Sequence, residues 1–184
     1  MIARQSTKEL LAESLKELSQ FKAVDKITIK ELTKNCGLTP PTFYNHFRDK
    51  YELMAWIYNQ KVEASLKNFG RGDSFEDVIC RWMEIVLEDE NFYTNLLKNA
   101  VGQNNFRYTT NDYAIKLLED WIKARHNLDE VTPEICFCVR FYMRAISESV
   151  NDWTLGRWDC SPREMAKFFV EAMPEPLKPL LLQI

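Results

Sequence analysis

Hydrophobic residues recur at helical spacing along most of this chain. Leu10, Leu11, Leu15 and Leu18 alternate with charged residues at the period of an amphipathic helix, which predicts a helix over residues 6–20. Periodic segments separated by Asn-, Gly- or Pro-containing breaks predict further helices over residues 74–88, 91–100, 107–125, 133–155 and 161–173. The pattern predicts an all-α protein.

The segment after the first helix contains a helix-start signal. Thr28 is followed three residues later by Glu31, the spacing of a capping box in which each residue bonds the backbone N–H of the other. Gly37 then stands where a left-handed glycine would end the helix. A second helix is therefore predicted over residues 28–36, after a short apolar connector.

Two consecutive prolines predict the start of a third helix. Thr39 offers an N-cap, and Pro40 and Pro41 then fill positions where missing N–H groups cost nothing. This helix must be short, because Asp49 and Glu52 repeat the capping-box spacing. They open a fourth helix that is expected to run toward residue 69.

Residues 28–47 thus have the layout of a helix-turn-helix motif, in which the second helix enters the major groove of DNA. Phe43 and Phe47 are four positions apart and are expected to anchor the second helix to a core. The other side chains of this helix are mostly hydrogen-bonding groups. The alternative is a solvated surface helix of an ordinary bundle, since polar outer faces are the rule.

Composition and charge agree with a compact helical protein that meets a polyanion at one end. Hydrophobic residues make up 46% of the 184 positions, and glycine is rare, with 5 residues. The net charge of −3 divides unevenly: residues 1–51 carry 9 Lys and Arg against 6 Asp and Glu, whereas the remainder carries 15 against 21. The N-terminal part is therefore mildly basic.

Other functional classes find little support. The two histidines, His46 and His126, lie far apart without evident catalytic partners, and no phosphate-binding glycine loop is present, so the chain is not expected to be an enzyme. Five cysteines without metal-finger spacing predict free thiols, no metal and no cofactor. No apolar run is long enough for a membrane span or a signal peptide, so a cytoplasmic protein is expected.

An Arg-Gly-Asp triplet follows the fourth predicted helix. Arg71, Gly72 and Asp73 match an extracellular adhesion motif. In a chain expected to carry free thiols inside the cell, a plain turn between two helices is favoured instead.

The segment "ITIKELTKNCGLTPPTFYNHFRDKYEL", residues 27–53, resembles the N-terminal DNA-binding domain of TetR-type bacterial transcription regulators. The matching positions are Gly37, Thr39, Thr42, Phe43, Tyr44, His46, Phe47, Asp49, Lys50 and Leu53. The resemblance implies a helix-turn-helix domain over residues 1–48. It also implies a connecting helix and a helical effector-binding and dimerisation domain over residues 49–184.

Residue by residue, the resemblance implies contacts with operator DNA. The residues carried over are Thr28, Thr39, Pro40, Thr42, Tyr44, Asn45, His46 and Lys50. Lys50, the hydroxyls and the Tyr44 phenol are suited to phosphates, whereas Asn45 and Thr42 can reach base edges. Pro40 stands where many members carry a base-reading polar residue, so readout through thymine methyl groups or DNA shape is expected to take a larger share.

The C-terminal part resembles a subgroup that includes regulators beside dihydroxyacetone kinase operons. The resemblance is carried by Trp153, Gly156 and the stretch "SPREM" over residues 161–165, where Ser161 and Glu164 again have capping-box spacing. It implies that the last two long helices form a homodimer interface. The residues expected there are Phe141, Ile146, Val150, Trp153, Phe168 and Phe169.

An effector pocket is implied in the helical body. The candidates to line it are Trp82, Tyr93, Phe106, Tyr113, Trp121 and Tyr142, although most such positions in a helical protein are core. The sequence thus predicts a homodimeric DNA-binding regulator, most simply a repressor, controlled by a small molecule or a partner protein. The alternatives are a coactivator that works with a second regulator of a dihydroxyacetone kinase-type operon, and a helical effector-binding or scaffold protein with little DNA affinity.

Overall fold

A computed structural model describes residues 5–99 and 104–182, with side chains described for residues 5–99 and 110–182. Most of the described residues are helical and none forms a strand, which confirms the all-α prediction. The helices are α1 Thr7–Ser19, α2 Ile29–Asn35, α3 Pro40–Tyr44, α4 Lys50–Leu66, α5 Phe75–Glu88, α6 Glu90–Asn99, α7 Asn104–His126, α8 Pro133–Thr154, α9 Pro162–Glu171 and α10 Lys178–Leu181. Short 3₁₀ turns occupy Val24–Lys26 and Glu175–Leu177.

Local capping determines where several helices begin. The capping boxes predicted at Thr28 with Glu31 and at Ser161 with Glu164 are both formed, with the hydroxyl and the carboxylate each bonding the other's backbone N–H. Helix α8 has an N-cap that the sequence interpretation missed, Thr132, whose side chain accepts from the Ile135 N–H.

The described helices form two compact units. The first contains the residues up to Tyr58 together with those from Asp89 to Arg107, and therefore α1, α2, α3, the start of α4, α6 and the first residues of α7. The second contains residues 59–88 and those from Tyr108 onward. This division differs from a boundary after residue 48, because α6, although distant in sequence, packs with the N-terminal helices.

The core of the first unit lies among α1, α2 and α3. Helix α1 packs on α2, α2 packs on α3, and α6 packs on α1 and on the 3₁₀ turn Val24–Lys26. The buried side chains include Leu11, Leu15, Val24, Ile27, Leu32, Phe43, Phe47, Leu53, Phe92 and Leu96. Burial of these apolar groups is the main stabilising contribution to so small a unit.

The second unit is built on the contact between α5 and α9, which pack along their length. Arg163 at the start of α9 donates to Glu76 at 3.1 Å and to Asp77 at 2.8 Å at the start of α5. Tyr142 of α8 donates its hydroxyl to the Phe169 carbonyl of α9. Polar contacts therefore fix the relative position of these three helices.

The turn between α4 and α5 contains the Arg-Gly-Asp triplet. Gly70 and Gly72 have φ angles of +70° and +130°, values that side-chain-bearing residues rarely adopt. The Asp73 carboxylate is bound by Arg81 of α5. The carboxylate that an adhesion ligand would present is thus bound by the following helix, as expected for a helix-to-helix connection.

The structure also bears on the predicted thiols, on metal binding and on membrane helices. All five cysteines are free thiols. Within residues 5–99 and 104–182, no group of three or more His, Cys, Asp or Glu side chains is arranged to hold a metal ion. In the same ranges, no helix combines the length and apolarity that crossing a membrane requires.

Candidate nucleic-acid interface

A glycine turn sets the relation between α2 and α3. Gly37 adopts a φ angle of +70°, the left-handed conformation predicted for it. The Leu38 N–H donates to the Thr33 carbonyl at 2.8 Å and the Gly37 N–H to the Lys34 carbonyl at 3.2 Å. These bonds satisfy the last carbonyls of α2 and let α3 begin two residues later.

Helix α3 is held to the first unit by its two phenylalanines, as predicted. Phe43 is fully buried and Phe47 is nearly so. Their ring centroids lie 5.8 Å apart, and Phe47 also meets Trp56 of α4 edge-on at 6.1 Å. A helix of five residues cannot hold its position alone, so these contacts fix which side of α3 faces outward.

The outward side of α3 brings together most of the predicted DNA-contacting residues. Thr39, Pro40, Tyr44, Asn45 and His46 are exposed, with 58% of Tyr44 accessible. Thr42 is half-buried, and its hydroxyl oxygen lies 2.9 Å from that of Thr39. We call the exposed set Thr39, Pro40, Tyr44, Asn45 and His46 the α3 surface.

Thr28 lies apart from the α3 surface, at the start of α2. Its side chain is exposed, but its hydroxyl donates to Glu31 at 2.8 Å and accepts from the Glu31 N–H at 3.2 Å. The Lys22 ammonium, followed by the backbone N–H and the hydroxyl of Thr28, lowers the pKa of Glu31 to about 2 by hydrogen bonding. The geometry therefore gives Thr28 a capping role beside the predicted DNA contact.

Lys50 does not point its ammonium toward solvent. Nζ donates to the carbonyl oxygens of Val24 at 3.0 Å, Asp25 at 2.6 Å and Ile27 at 2.9 Å. Burial lowers the pKa of Lys50. An ammonium group has three N–H donors, and all three bond the connector between α1 and α2, so the predicted phosphate contact would have to displace one of these bonds.

Basic side chains that the sequence interpretation left out are exposed near the motif. Arg48 lies in the turn between α3 and α4, and Lys30 and Lys34 lie on α2; all three are exposed. The sequence could have identified these residues from their position inside the quoted motif, since a phosphate contact needs only a cation near the groove. Lys8 is different, because its ammonium lies 5.5 Å from the Phe47 ring centroid and 5.9 Å from that of Trp56.

Two family models match the chain. One, described as "Bacterial regulatory proteins, tetR family", matches residues 10–56, and the other, "Transcriptional regulator C-terminal region", matches residues 73–174. The second alone covers more than half of the chain. The chain belongs to the TetR family of transcriptional regulators. Both models describe regulators, so the prediction that it is not an enzyme is confirmed.

Known relatives of this TetR-family regulator share its fold at low identity. The HTH-type dhaKLM operon transcriptional activator DhaS of Lactococcus lactis subsp. lactis (strain IL1403) is 22% identical over 102 residues, 55% of this chain and 53% of that protein. The match thus spans about half the length of the curated relative.

Two solved structures have the same architecture. "Dihydroxyacetone kinase operon activator DhaS" has a TM-score of 0.62 at 18% identity, covering 91% of this chain and 93% of that one. A TetR transcriptional regulator from Rhodococcus sp. RHA1 has a TM-score of 0.61 at 17% identity, covering 94% and 93%. The resemblance to a dihydroxyacetone kinase regulator, stated above from the C-terminal residues, is confirmed at the level of the family.

The six predicted effector-pocket residues of the TetR-family regulator do not line one described cavity. Tyr93 is buried in the first unit, whereas Trp82 and Tyr142 are buried in the second. The side chain of Phe106 lies outside the described residues. Trp121 stacks on Phe69 with ring centroids 4.0 Å apart.

Tyr113, the sixth predicted pocket residue, is half-buried in the second unit. Its hydroxyl donates to Glu63, a bond that raises the pKa of Tyr113 to about 12. A surface depression of about 540 Å³ lies at the end of α7 and contains none of the six aromatics. It is lined by Asp120, Lys123, Ala124, Asn127, Leu128 and Asp129. The effector pocket therefore stays a prediction.

The residues predicted for the dimer interface divide into two sets. Ile146, Val150, Trp153 and Phe169 are buried within the single chain, so their side chains are used by its own core. Phe141 and Phe168 are 63% and 55% exposed. Helices α8 and α9 are amphipathic, so each has a buried face and an exposed face. The six residues predicted for the interface came from both faces.

Another aromatic residue belongs with the exposed pair. Phe137 is 68% exposed and stacks on Phe141, with ring centroids 6.1 Å apart and planes at 11°. The two residues lie four positions apart on α8, on the side opposite the buried Val139 and Tyr142. Helical spacing from the buried residues could have identified this outward stripe in the sequence.

Proposed function

We propose that this TetR-family regulator binds operator DNA sequence-specifically as a homodimer, represses transcription by occupying that DNA, and is controlled by a small-molecule effector or a partner protein. The observation that carries the proposal is the α3 surface, a cluster of exposed side chains, hydrogen-bonding except for Pro40, on and beside a short helix that two buried phenylalanines hold. A helix that enters the major groove needs such side chains to contact base edges and phosphates.

The roles within the α3 surface follow from side-chain chemistry. The side-chain amide of Asn45 can bond an adenine edge twice, because its NH2 donates and its oxygen accepts, and Thr42 of α3 can also meet a base edge. Tyr44 and His46 can donate to phosphate oxygens, and Arg48 adds a cation in the turn between α3 and α4. Pro40 offers only apolar contact, which suits a thymine methyl group.

The exposed stripe of α8 supports a homodimer. Glu134, Phe137, Phe141, Arg144 and Glu148 recur at spacings of three and four, so they share the outward face of the helix. If a second copy packs α8 antiparallel at the height of residue 139, Phe137 meets Phe141 and Glu134 meets Arg144 across the two-fold axis. In an isologous interface of this kind, each favourable contact occurs twice.

Dimerisation also compensates for the modest positive charge of the first unit, which carries the α3 surface and is called the head below. A single α3 surface with a few nearby cations makes few phosphate contacts, which predicts weak binding by one copy. Two linked heads convert the second binding event into an intramolecular one and raise the overall affinity. An effector that changes the geometry of the second unit would act on this linkage, and DNA occupancy would then follow effector concentration.

A salt titration of DNA binding tests the proposal. Duplexes from the DNA upstream of the chain's own coding sequence would be compared with a scrambled duplex of equal length by fluorescence anisotropy. We expect preferential binding whose logarithm falls linearly with the logarithm of salt concentration, because counterions are released from the contacted phosphates. Absence of binding by the dimer at low salt would refute DNA recognition and favour the scaffold alternative.

The sign of regulation has a second candidate. The Lactococcus lactis relative is named a transcriptional activator, and activation by this chain is compatible with that likeness. Transcription in vitro from the bound promoter, with and without the regulator, distinguishes the two signs. Lower transcript yield supports repression, and higher yield supports activation.

A further inference from the structure

The connector between α1 and α2 is held by two polar side chains from other parts of the first unit. Residues 20–28 form this connector, and apart from the 3₁₀ turn Val24–Lys26 it is irregular. Lys50 at the start of α4 donates to three of its carbonyls, as described above. The second side chain is Asn95, which comes from α6 and is 67 positions or more away in sequence from the connector.

Asn95 uses both ends of its amide. The Val24 N–H donates to Oδ1 at 3.1 Å, and Nδ2 donates to the Ser19 carbonyl at 2.6 Å and the Lys22 carbonyl at 2.9 Å. The opposite orientation of the amide would set a donor against the Val24 N–H and an acceptor against two carbonyls. Only one orientation satisfies the backbone, so asparagine is matched to this position.

Neighbouring contacts fix Asn95 and the helix that carries it. The Asn99 side chain donates to Asn95 Oδ1 at 2.9 Å, which supports the same orientation. At the start of α6, Lys16 of α1 lies 2.7 Å from the Asp89 carboxylate. Phe92 and Leu96 of α6 are buried. The helix is therefore attached to the first unit on both sides of Asn95.

We infer that Asn95 is a positioning residue for DNA recognition, because it fixes the connector from which α2 and α3 are placed relative to α1. The connector ends at Thr28, the cap of α2, and α2 leads through the Gly37 turn to the α3 surface. A shift of the connector would therefore move the α3 surface without breaking any contact inside α2 or α3. This inference rests on the proposed function.

The experiment compares Asn95→Ala and Asn95→Asp with Asn91→Ala in the full chain. Asn91 is an exposed asparagine one turn earlier on α6 and serves as the matched control. The aspartate variant keeps an acceptor for Val24 but sets a carboxylate against the two carbonyls. Three quantities are measured below the melting temperature of every variant: affinity for operator DNA, affinity for scrambled DNA, and hydrogen exchange of the Val24 amide against that of Leu53.

Both Asn95 variants should bind operator DNA about tenfold more weakly, the equivalent of one lost hydrogen bond to a buried partner. The ratio of operator to scrambled affinity should also fall, because base contacts depend on the placement of α3 more than phosphate contacts do. The Val24 amide should exchange faster while Leu53 keeps its protection. Asn91→Ala should match the wild-type protein throughout.

A role in overall stability alone would give a different pattern. It would lower the melting temperature and the protection of Leu53 together, and leave the affinity ratio unchanged, which would overturn the inference. Unchanged exchange of Val24 would overturn it as well. If the wild-type protein binds no DNA, the proposed function fails and DNA positioning fails with it, whereas the exchange data still decide whether Asn95 holds the connector.

Discussion

Three backbone carbonyls surround the Lys50 ammonium, and a phosphate oxygen could bind it only by displacing one of them. The exchange would leave a half-buried carbonyl without its donor, a cost that the new contact must exceed. The position of Lys50 in the sequence had suggested that its ammonium group binds a phosphate of DNA. In the structure the half-buried Lys50 bonds its own domain, and Arg48 is the exposed cation of the same turn.

Lys50→Met should therefore lower the free energy of unfolding by about 1–3 kcal/mol, because three carbonyls lose a charged donor. Chemical denaturation measures the change. Lys26→Met, which removes an exposed lysine of the same connector, is the control and should have little effect. A stable Lys50→Met protein whose DNA affinity depends less steeply on salt would restore the phosphate role.

The α3 surface allows base and phosphate contacts to be separated. Asn45→Ala should cost about 1–3 kcal/mol of operator binding and relax base preference at one position. Tyr44→Phe should weaken binding to operator and scrambled duplexes alike, because a phosphate contact carries no sequence information. Binding of each variant to a set of single-base operator changes gives the result. Equal loss on every duplex for Asn45→Ala would exclude its base contact.

At the scale of helices, two capping carboxylates make stability depend on acid. Hydrogen bonds from Lys22 and Thr28 lower the pKa of Glu31 to about 2, and those from Ser74 and Arg163 lower the pKa of Asp77 to about 2. A carboxyl whose pKa is lower in the folded protein stabilises it above the unfolded pKa and loses that effect as pH falls.

The free energy of unfolding should thus decline as the pH is lowered from about 4.5 to about 2. Urea denaturation at a series of pH values measures it. Glu31→Gln should be less stable than the wild-type protein at neutral pH and should lose less on acidification. A variant with the wild-type pH profile would show that Glu31 contributes nothing to acid sensitivity.

The sequence predicted well the helix starts, because these depend on residues close together in the chain. Thr28, Thr39 and Ser161 cap helices as expected, because a cap depends on residues only three positions away. The contacts of Lys50 and Asn95 were missed, since they join residues that only folding brings together. Long polar side chains can turn inward or outward, and hydrophobic periodicity does not indicate which.

At the scale of the whole molecule, burial decides which aromatic residues can meet a second copy. The hydrophobic spacing of α8 and α9 indicated aromatic positions but did not assign each residue to the inner or outer face. Phe141 and Phe168 remain available for an interface, and Phe137 joins them.

Phe141→Glu should convert the proposed dimer to a monomer, because the two-fold axis brings both new carboxylates into an apolar contact. Operator affinity should fall by about a hundredfold as the linkage between heads is lost. Sedimentation velocity gives the mass, and circular dichroism confirms folding. Phe21→Glu, which alters an 89% exposed phenylalanine of the head, is the control and should stay dimeric. A dimeric Phe141→Glu protein would move the interface elsewhere.

Helix α6 bears on how regulators of this kind can be recombined. The first unit is discontinuous in sequence, since the chain leaves it after Tyr58, returns at Asp89 and leaves again after Arg107. A chimera that exchanges only the N-terminal segment would combine the connector of another regulator with Asn95. The side chain of Asn95 fits the backbone of the original connector and not that of the new one. To combine this head with the second unit of a different regulator, both of its sequence segments must therefore be transferred, and α6 belongs to the second of them.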